Sequence, residues 1–589
     1  MSIDDSICFD KLKVAEKFNS FYTTVASKLV EKLPNCIATF GKSFVFNFYC
    51  SKGVKPNSYS LSIVDESQVF KILNNLSPKK ATGLDSIPSR FIRDSASIIA
   101  HPLAHIINLS IIQGVVPDDL KLARVVPLFK KNDKTDVGNY RPVSILSVIS
   151  KVLERVVYNQ LEGYLSDKNL LFDYQSGFRR KFSTETCLIH LTDFIRFQMD
   201  RSNLVGMLLL DLQKAFDTVD HSILLMKLEA LGLNNSAVSW FASYLTDRHQ
   251  LVDVSGTFSS SAPISCGVPQ GSILGPLLFL VYVNDMSAVV KHKLLLYADD
   301  SAILVTGKNK ESIENMLSSE LDRVSDWLIC NKLSLHLGKT ESILFGSKVK
   351  VKSLPGLSVK CKGHYIQPKE SVKYLGATID QSLSFESMAL SVIQKVNSRL
   401  KFLYRKKEFL TAHTKKLLVM AIAQCHMDYA STIWFHSITQ ALRNKLQVTQ
   451  NKLIRFVLNL DSRAHVGKEQ FAHVNWLPVS KRVDFKTLCH VFNVHNNEAP
   501  KYLNDGFVHV ESTHSHNTRF RVKSNSADIF STCTFKDSGR FSVPRVKGPG
   551  TKSFLYRGCS LWNKLPQHLR ECDSYESFKP KARDYLFNL

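Results

Sequence analysis

Two adjacent carboxylates, Asp299 and Asp300, stand between two apolar runs of β-forming residues, 294–297 and 301–305. Short apolar runs bounded by polar breaks read as strands, so the pair is expected at the tip of a β-hairpin. Two acids at a tight turn repel each other unless positive charge sits beside them. A hard divalent cation with oxygen ligands meets that need. An ordinary polar turn carries the same letters, so the neighbouring stretches decide. A third acid, Asp211, closes the run 205–210, which has the pattern of a buried strand. The end of such a strand holds a reacting group on a rigid scaffold. Asp217 and Asp220, just before a helix expected over 222–231, suit capping or orienting.

Cations and flexible loops accompany these acids. The run 124–131 reads as a strand ending in charge, and 138–145 as a second strand. If the two pair, Lys130 and Arg141 come together on a protruding hairpin, an arrangement that suits a triphosphate. The loop 175–184 is basic with aromatics interleaved, and its Arg179, Arg180 and Lys181 suit contact with a nucleic-acid backbone. The loop 265–276 is studded with Gly and Pro and opens an apolar helix over 277–283. Its glycines let backbone approach a ligand closely. From 385 to 460 the pattern is helical and basic, and Arg405, Lys406 and Lys407 suit a groove along a phosphate backbone. Helices are also expected over 12–33, 65–76, 147–165 and 311–329, and a strand over 372–380. The stretch 36–63 has little pattern. Trp476 and Trp562 mark core packing in the mixed C-terminal stretch.

Length and composition bound the possibilities. A chain of 589 residues is too long for one core. A formal charge of +24 calls for a polyanionic partner, nucleic acid first. The longest apolar run, 276–283, is too short for a bilayer, and no lipidation motif or basic amphipathic anchor accompanies it, so no membrane partner is expected. The 12 cysteines are scattered without zinc-binding spacing and read as reduced thiols in an intracellular protein. The N-terminus is not a signal peptide, so the expected location is the nucleus, the cytoplasm or both.

Taken in order, 139–144 (NYRPVS), 175–179 (QSGFR), 211–217 (DLQKAFD), 267–272 (GVPQGS), 297–300 (YADD) and 374–376 (YLG) give the chain its resemblance. It resembles the reverse transcriptases of non-LTR (LINE-type) retrotransposons, close to the jockey-like group, over about residues 80–380. The resemblance implies an α+β right-hand polymerase of fingers, palm and thumb. It divides the chain into an N-terminal extension (1–78), fingers and palm (79–380), a basic helical thumb (381–464) and a C-terminal region of unknown role (465–589). It implies an RNA template, a DNA primer or target, and deoxynucleoside triphosphates as partners. It places Asp211, Asp299 and Asp300 around two Mg2+ ions, with Mn2+ as a substitute, for in-line displacement at phosphorus. Lys130 and Arg141 hold the triphosphate. Phe216 is the bulky gate against a 2′-hydroxyl. Gln270 and Gly271 contact the incoming nucleotide, and Lys339 is placed to protonate the leaving pyrophosphate. Relatives of this group carry an upstream endonuclease, for which there is no room before residue 80. Target nicking is therefore expected from elsewhere, and the chain reads as a fragment or partial copy. Two other classes fit less well: a catalytically silent nucleic-acid-binding remnant of a mobile element, and a group II intron-type maturase.

Overall fold

The charged hairpin expected over 124–145 forms as its pattern requires. In the computed structural model, which describes residues 1–3, 6–34, 38–510 and 539–589, the strand Leu122–Phe129 pairs antiparallel with Tyr140–Ile145, Leu128 opposite Arg141. Leu122–Phe129 also runs parallel to Arg248–Val254, and Thr257–Phe258 and Ala262–Ile264 complete a five-stranded sheet. The helix Lys11–Val30 closes over this sheet through Phe18 and Tyr22, which pack on Val125 and Val252. Across the chain helix dominates, at 53% against 14% strand, so the class is α+β.

Two units are resolved. The first comprises 1–178, 210–301 and 319–340, and the second comprises 179–209, 302–318 and 341–589. The first holds the hairpin sheet and the apolar helix Leu274–Val283, all but one of whose ten residues are buried. The helix Val148–Asp167 buries Val152, Leu153, Val156, Val157 and Leu161, the face its period marks. A buried ion pair pins the Leu274–Val283 helix to its neighbours. Lys227 Nζ lies 2.6 Å from Asp285 Oδ1 with both side chains fully buried, and Trp327 Nε1 donates to Asp285 Oδ2 at 2.8 Å. Removing one partner of a buried pair leaves an uncompensated charge. Lys227→Met is therefore expected to cost about 3–5 kcal/mol in denaturant unfolding. The double change Lys227→Met/Asp285→Leu should recover at least half of that, because neither charge is then stranded.

In the second unit Leu204–Leu210 pairs antiparallel with Glu341–Phe345, Met207 opposite Ile343, and Glu341–Phe345 runs parallel to Gln367–Pro368. Asp300–Gly307 lies on the other side of Leu204–Leu210. Both long strands are apolar on each face and buried, as strands covered on both sides must be. Gly206 is required where the 310–330 helix presses on the strand: a Cβ there would lie 2.3 Å from Ile313 Cγ2. The C-terminal residues belong to this unit. Asp193, on the helix Thr184–Asp200, accepts from Phe554 N (2.8 Å) and Leu555 N (2.9 Å) at the start of the helix Phe554–Trp562. Trp476 and Trp562 are core residues, as their setting implies.

Three readings change. The stretch 36–63 contains the helix Lys42–Ser51, held by buried Val45 and Tyr49 one turn apart. The strand expected over 372–380 is a hairpin, Ser371–Tyr374 with Ala377–Asp380, because Leu375 (φ 44°) and Gly376 (φ 81°) turn the chain between them. The cysteines are not all reduced thiols: Cys330 is disulfide-bonded, a pairing that scattered spacing does not reveal. The helix Ala96–Gln113 is long and apolar enough to cross a membrane by length and composition. Its Ala100, Ala104, Ile107 and Ile111 are buried, and it packs on the helices Glu66–Asn74 and Asn235–Leu245.

Candidate active site

The acidic turn is shaped by its backbone. Ala298 has φ 57°, a left-handed conformation that costs a non-glycine residue about 1–2 kcal/mol and persists only where surroundings hold it. Here the loop 174–177 does so. Ala298 N and Gly177 N both donate to Gln175 Oε1, at 3.0 and 2.9 Å. Leu296 N donates to Tyr174 O (3.0 Å), and Ser176 N donates to Leu296 O (2.8 Å). Gly177 sits so close that a Cβ would fall 2.4 Å from Ala298 N. Gln175 and Ser176 are buried. The first half of the loop read as a nucleic-acid contact is thus the mould of the acidic turn. The Gln-Ser-Gly letters alone do not reveal that contact, which joins segments more than a hundred residues apart.

Asp211 reaches the same unit from the end of Leu204–Leu210. Its carbonyl accepts from His336 N at 2.8 Å, and Leu212–Gln213 pairs with Ser334–Leu335 just beyond. Lys339 Nζ lies 3.9 Å from Asp211 Oδ2, with both side chains about half exposed. The three acids feel one another. Desolvation pushes the Asp300 carboxyl up to about 6, and the negative charges of Asp299 and Asp211 add to the rise. Asp299 is raised too, by desolvation first and by Asp211, against the pull of Arg141 and Lys130. Lys130 is lowered by desolvation and by Arg141, and Asp211 pulls it the other way. Lys130 N donates to Asn139 O at 2.9 Å, which extends the hairpin two residues beyond the Leu128–Arg141 pair.

An acid with a raised native pKa binds its proton more readily when folded. Its ionised form therefore costs stability above about pH 6, and the cost fades as pH falls towards the unfolded value. Without divalent cations, Asp300→Asn should melt about 1–2 °C above the unmodified chain near pH 7.5 and level with it near pH 4.5. Thermal melts at the two pH values measure this.

Lys214 is a site residue that sequence reasoning overlooked. It stands in the 211–217 run with φ 49°, donates to Tyr140 O at 3.4 Å, and is lowered by desolvation, with Arg141 and Lys339 adding to the fall and Asp217 opposing it. Its position three residues past Asp211 was the available signal. Phe216 stacks on Phe279 (4.2 Å between centroids, 20°) and meets Phe178 edge-on at 6.1 Å, so its ring is braced on one face and half exposed. Gln270 Nε2 donates to Asp217 Oδ1 at 2.7 Å, the orienting role expected of Asp217. Asp220 caps the helix His221–Ala230 through Ile223 N. Gly271, at φ 140°, could not carry a Cβ, which would lie 2.2 Å from Ser144 O.

The other basic residues belong to the second unit. Arg179 lies over the Phe182 ring at 4.3 Å. Arg180 is exposed. Lys181 pairs with Glu498 at 3.0 Å and donates to Asn497 O, which ties it to the C-terminal residues. Arg405 and Lys406 are exposed and Lys407 half-buried, after the helix Glu386–Tyr404.

Among the described residues no three His, Cys, Asp or Glu side chains converge into a ready metal cage. The donor chemistry nonetheless suits a hard cation. The three acids offer only carboxylate oxygens, and their mutual repulsion is what a bound dication would relieve.

Residues 129–379 match the family described as "Reverse transcriptase (RNA-dependent DNA polymerase)". Among curated relatives, the chain is 30% identical over 410 residues to the "RNA-directed DNA polymerase from mobile element jockey" of Drosophila melanogaster, covering 68% of this chain and 44% of that one. It is 27% identical over 448 residues to the "Probable RNA-directed DNA polymerase from transposon BS" of the same species, covering 71% and 48%. It is also 26% identical over 251 residues to a "Retrovirus-related Pol polyprotein from type-1 retrotransposable element R2" of Popillia japonica, covering 40% and 34%. The chain spans less than half the length of these relatives.

Proposed function

We propose that this chain is the RNA-directed DNA polymerase of a non-LTR retrotransposon, extending a DNA 3′-hydroxyl on an RNA template. The observation that carries the reading is the set Asp211, Asp299 and Asp300, held in one unit within electrostatic reach of each other and of Lys130 and Arg141. In the right-hand arrangement, the sheet bearing the acids is the palm, the 122–145 hairpin is in the fingers, and the basic helices after 385 are the thumb.

Divalent cations bound at such a site lower the pKa of the attacking hydroxyl and neutralise charge on the triphosphate. Asp211 and Asp299 would hold those cations, and Asp300 would add negative charge beside them. Lys130 and Arg141 bind the triphosphate from the hairpin, and Lys214 adds positive charge from below. Lys339, 3.9 Å from Asp211, is placed to give a proton to the leaving pyrophosphate. Gln270, oriented by Asp217, faces the incoming nucleotide together with the Gly271 backbone. Phe216, braced on Phe279, crowds the 2′ position of the sugar.

Primer extension on an RNA template with purified chain and Mg2+ tests the reading; RNA bound without any extension overturns it. The sugar gate has its own measurement. Phe216→Val should raise ribonucleotide incorporation relative to deoxynucleotide by at least about tenfold, the scale on which one pocket contact discriminates substrates. Unchanged discrimination removes Phe216 from that role.

A further inference from the structure

The segment between the strand Glu341–Phe345 and the Ser371–Tyr374 hairpin plays no part in the chemistry above. It is nevertheless one of the most basic stretches in the chain. Residues 348–373 hold seven lysines against one acid, Glu370. An ordinary solvated face mixes both signs, so this imbalance needs a partner to explain it.

The structure gives the segment a form. The short helix Lys348–Ser353 and the stretches 368–370 and 380–382 enclose a cleft of about 600 Å3, floored by Val351, Leu354 and Pro368. Three lysines line it: Lys348, Lys352 and Lys369. Lys348 and Lys352 are exposed and make no ion pair among the described residues, and Lys369 has only Glu341, at 3.9 Å. Two acids also line it, Glu370 next to Lys369 in the chain and Asp380 on the opposite wall, whose carboxylate is tied to its own loop. Asp380 accepts from Ser384 N (2.9 Å), Phe385 N (3.0 Å) and the Ser382 hydroxyl (3.1 Å). With three lysines against two acids, the cleft keeps a net positive charge.

Beside it in the chain, Lys360–Cys361 and His364–Tyr365 form a two-residue hairpin, closed at its base by Ile366 N donating to Val359 O. Lys362 (φ 43°) and Gly363 (φ 89°) make the turn. Lys360 pairs across it with Tyr365, its Nζ 4.8 Å from the ring centroid, and Tyr365 is 67% exposed. An exposed ring beside cations is a stacking platform for an unpaired base, and a lysine-lined cleft suits the phosphates that follow it.

We propose that residues 348–369 form a contact surface for single-stranded nucleic acid, in which Lys348, Lys352 and Lys369 hold the phosphate backbone and Tyr365 stacks on a base. The surface adds a strand path to the polymerase reading, and its test is binding alone, so either can fail without the other. Fluorescence anisotropy of the full chain with a labelled single-stranded oligonucleotide, read over a range of salt, measures it. Each phosphate contact on a single strand contributes about 0.7 to the slope of log affinity against log salt. The triple change Lys348→Gln, Lys352→Gln and Lys369→Gln should make that slope shallower by about 2, while Lys11→Gln, Lys13→Gln and Lys17→Gln, on an exposed helix of the other unit, should leave it unchanged. Tyr365→Ala should weaken single-strand binding about tenfold and duplex binding less than twofold. Thermal melts guard against misfolding of either triple variant. An unchanged slope in the cleft variant, an equal loss in the Lys11 set, or equal effects of Tyr365→Ala on single strand and duplex each overturns the proposal.

Discussion

Asp299→Asn should reduce primer extension by about a thousandfold or more while leaving RNA binding intact. The substitution keeps the size of the side chain and most of its hydrogen-bonding capacity, so the Ala298 turn keeps its mould in Gln175 and Gly177. What it removes is the negative charge at the turn, and with it a hard anionic ligand. Metal-ion stabilisation of a phosphoryl transfer is worth several kcal/mol, and each 1.36 kcal/mol is a factor of ten in rate. Binding depends on a different quantity. The formal charge moves only from +24 to +25, so attraction for a polyanion is unaffected. Single-turnover extension and anisotropy on the same RNA–DNA hybrid measure both. An Asn variant extending at more than a tenth of the normal rate would exclude Asp299 as a metal ligand.

The second large effect comes from a residue with no chemistry of its own. Gly177→Ala should reduce extension by about a hundredfold with RNA affinity changed by less than a few-fold. The new Cβ would sit 2.4 Å from Ala298 N and 3.1 Å from Ala298 Cα, and no flexible side chain is there to give way. Backbone must move by about an ångström to restore contact distance, and the part that moves carries Asp299. A misplacement of that size costs about a hundredfold when reacting groups depend on geometry. Overpacking of this kind also costs about 1–3 kcal/mol of stability, which a melting curve separates from the kinetic loss. Gly163→Ala is the matched control. It lies on the helix Val148–Asp167 with nothing within 4 Å of its added Cβ, so it should stabilise slightly and leave extension unchanged. Equal activity of the two variants would remove the 175–177 loop from its positioning role.

Much of this protein is legible in local patterns. Asp299 and Asp300 announce themselves because apolar strands on both sides leave a polar turn no purpose in the core, and Asp211 because it ends a strand buried on both faces. The Lys130–Arg141 hairpin and the 148–167 helix follow from the alternation and period of their apolar residues, which local sequence carries directly. The tertiary structure decided the rest, for one physical reason: the deciding contacts join residues far apart in the chain. Gln175 and Gly177 shape a turn at 298, Asp285 holds Lys227 and Trp327 from two other helices, and Asp193 starts a helix at 554. Spacing does not report such pairs. The hairpin at 375 escaped notice because two positive-φ residues turned an unbroken apolar pattern. The lysines of 348–369 gained meaning only when folding set three of them around one cleft that holds two acids.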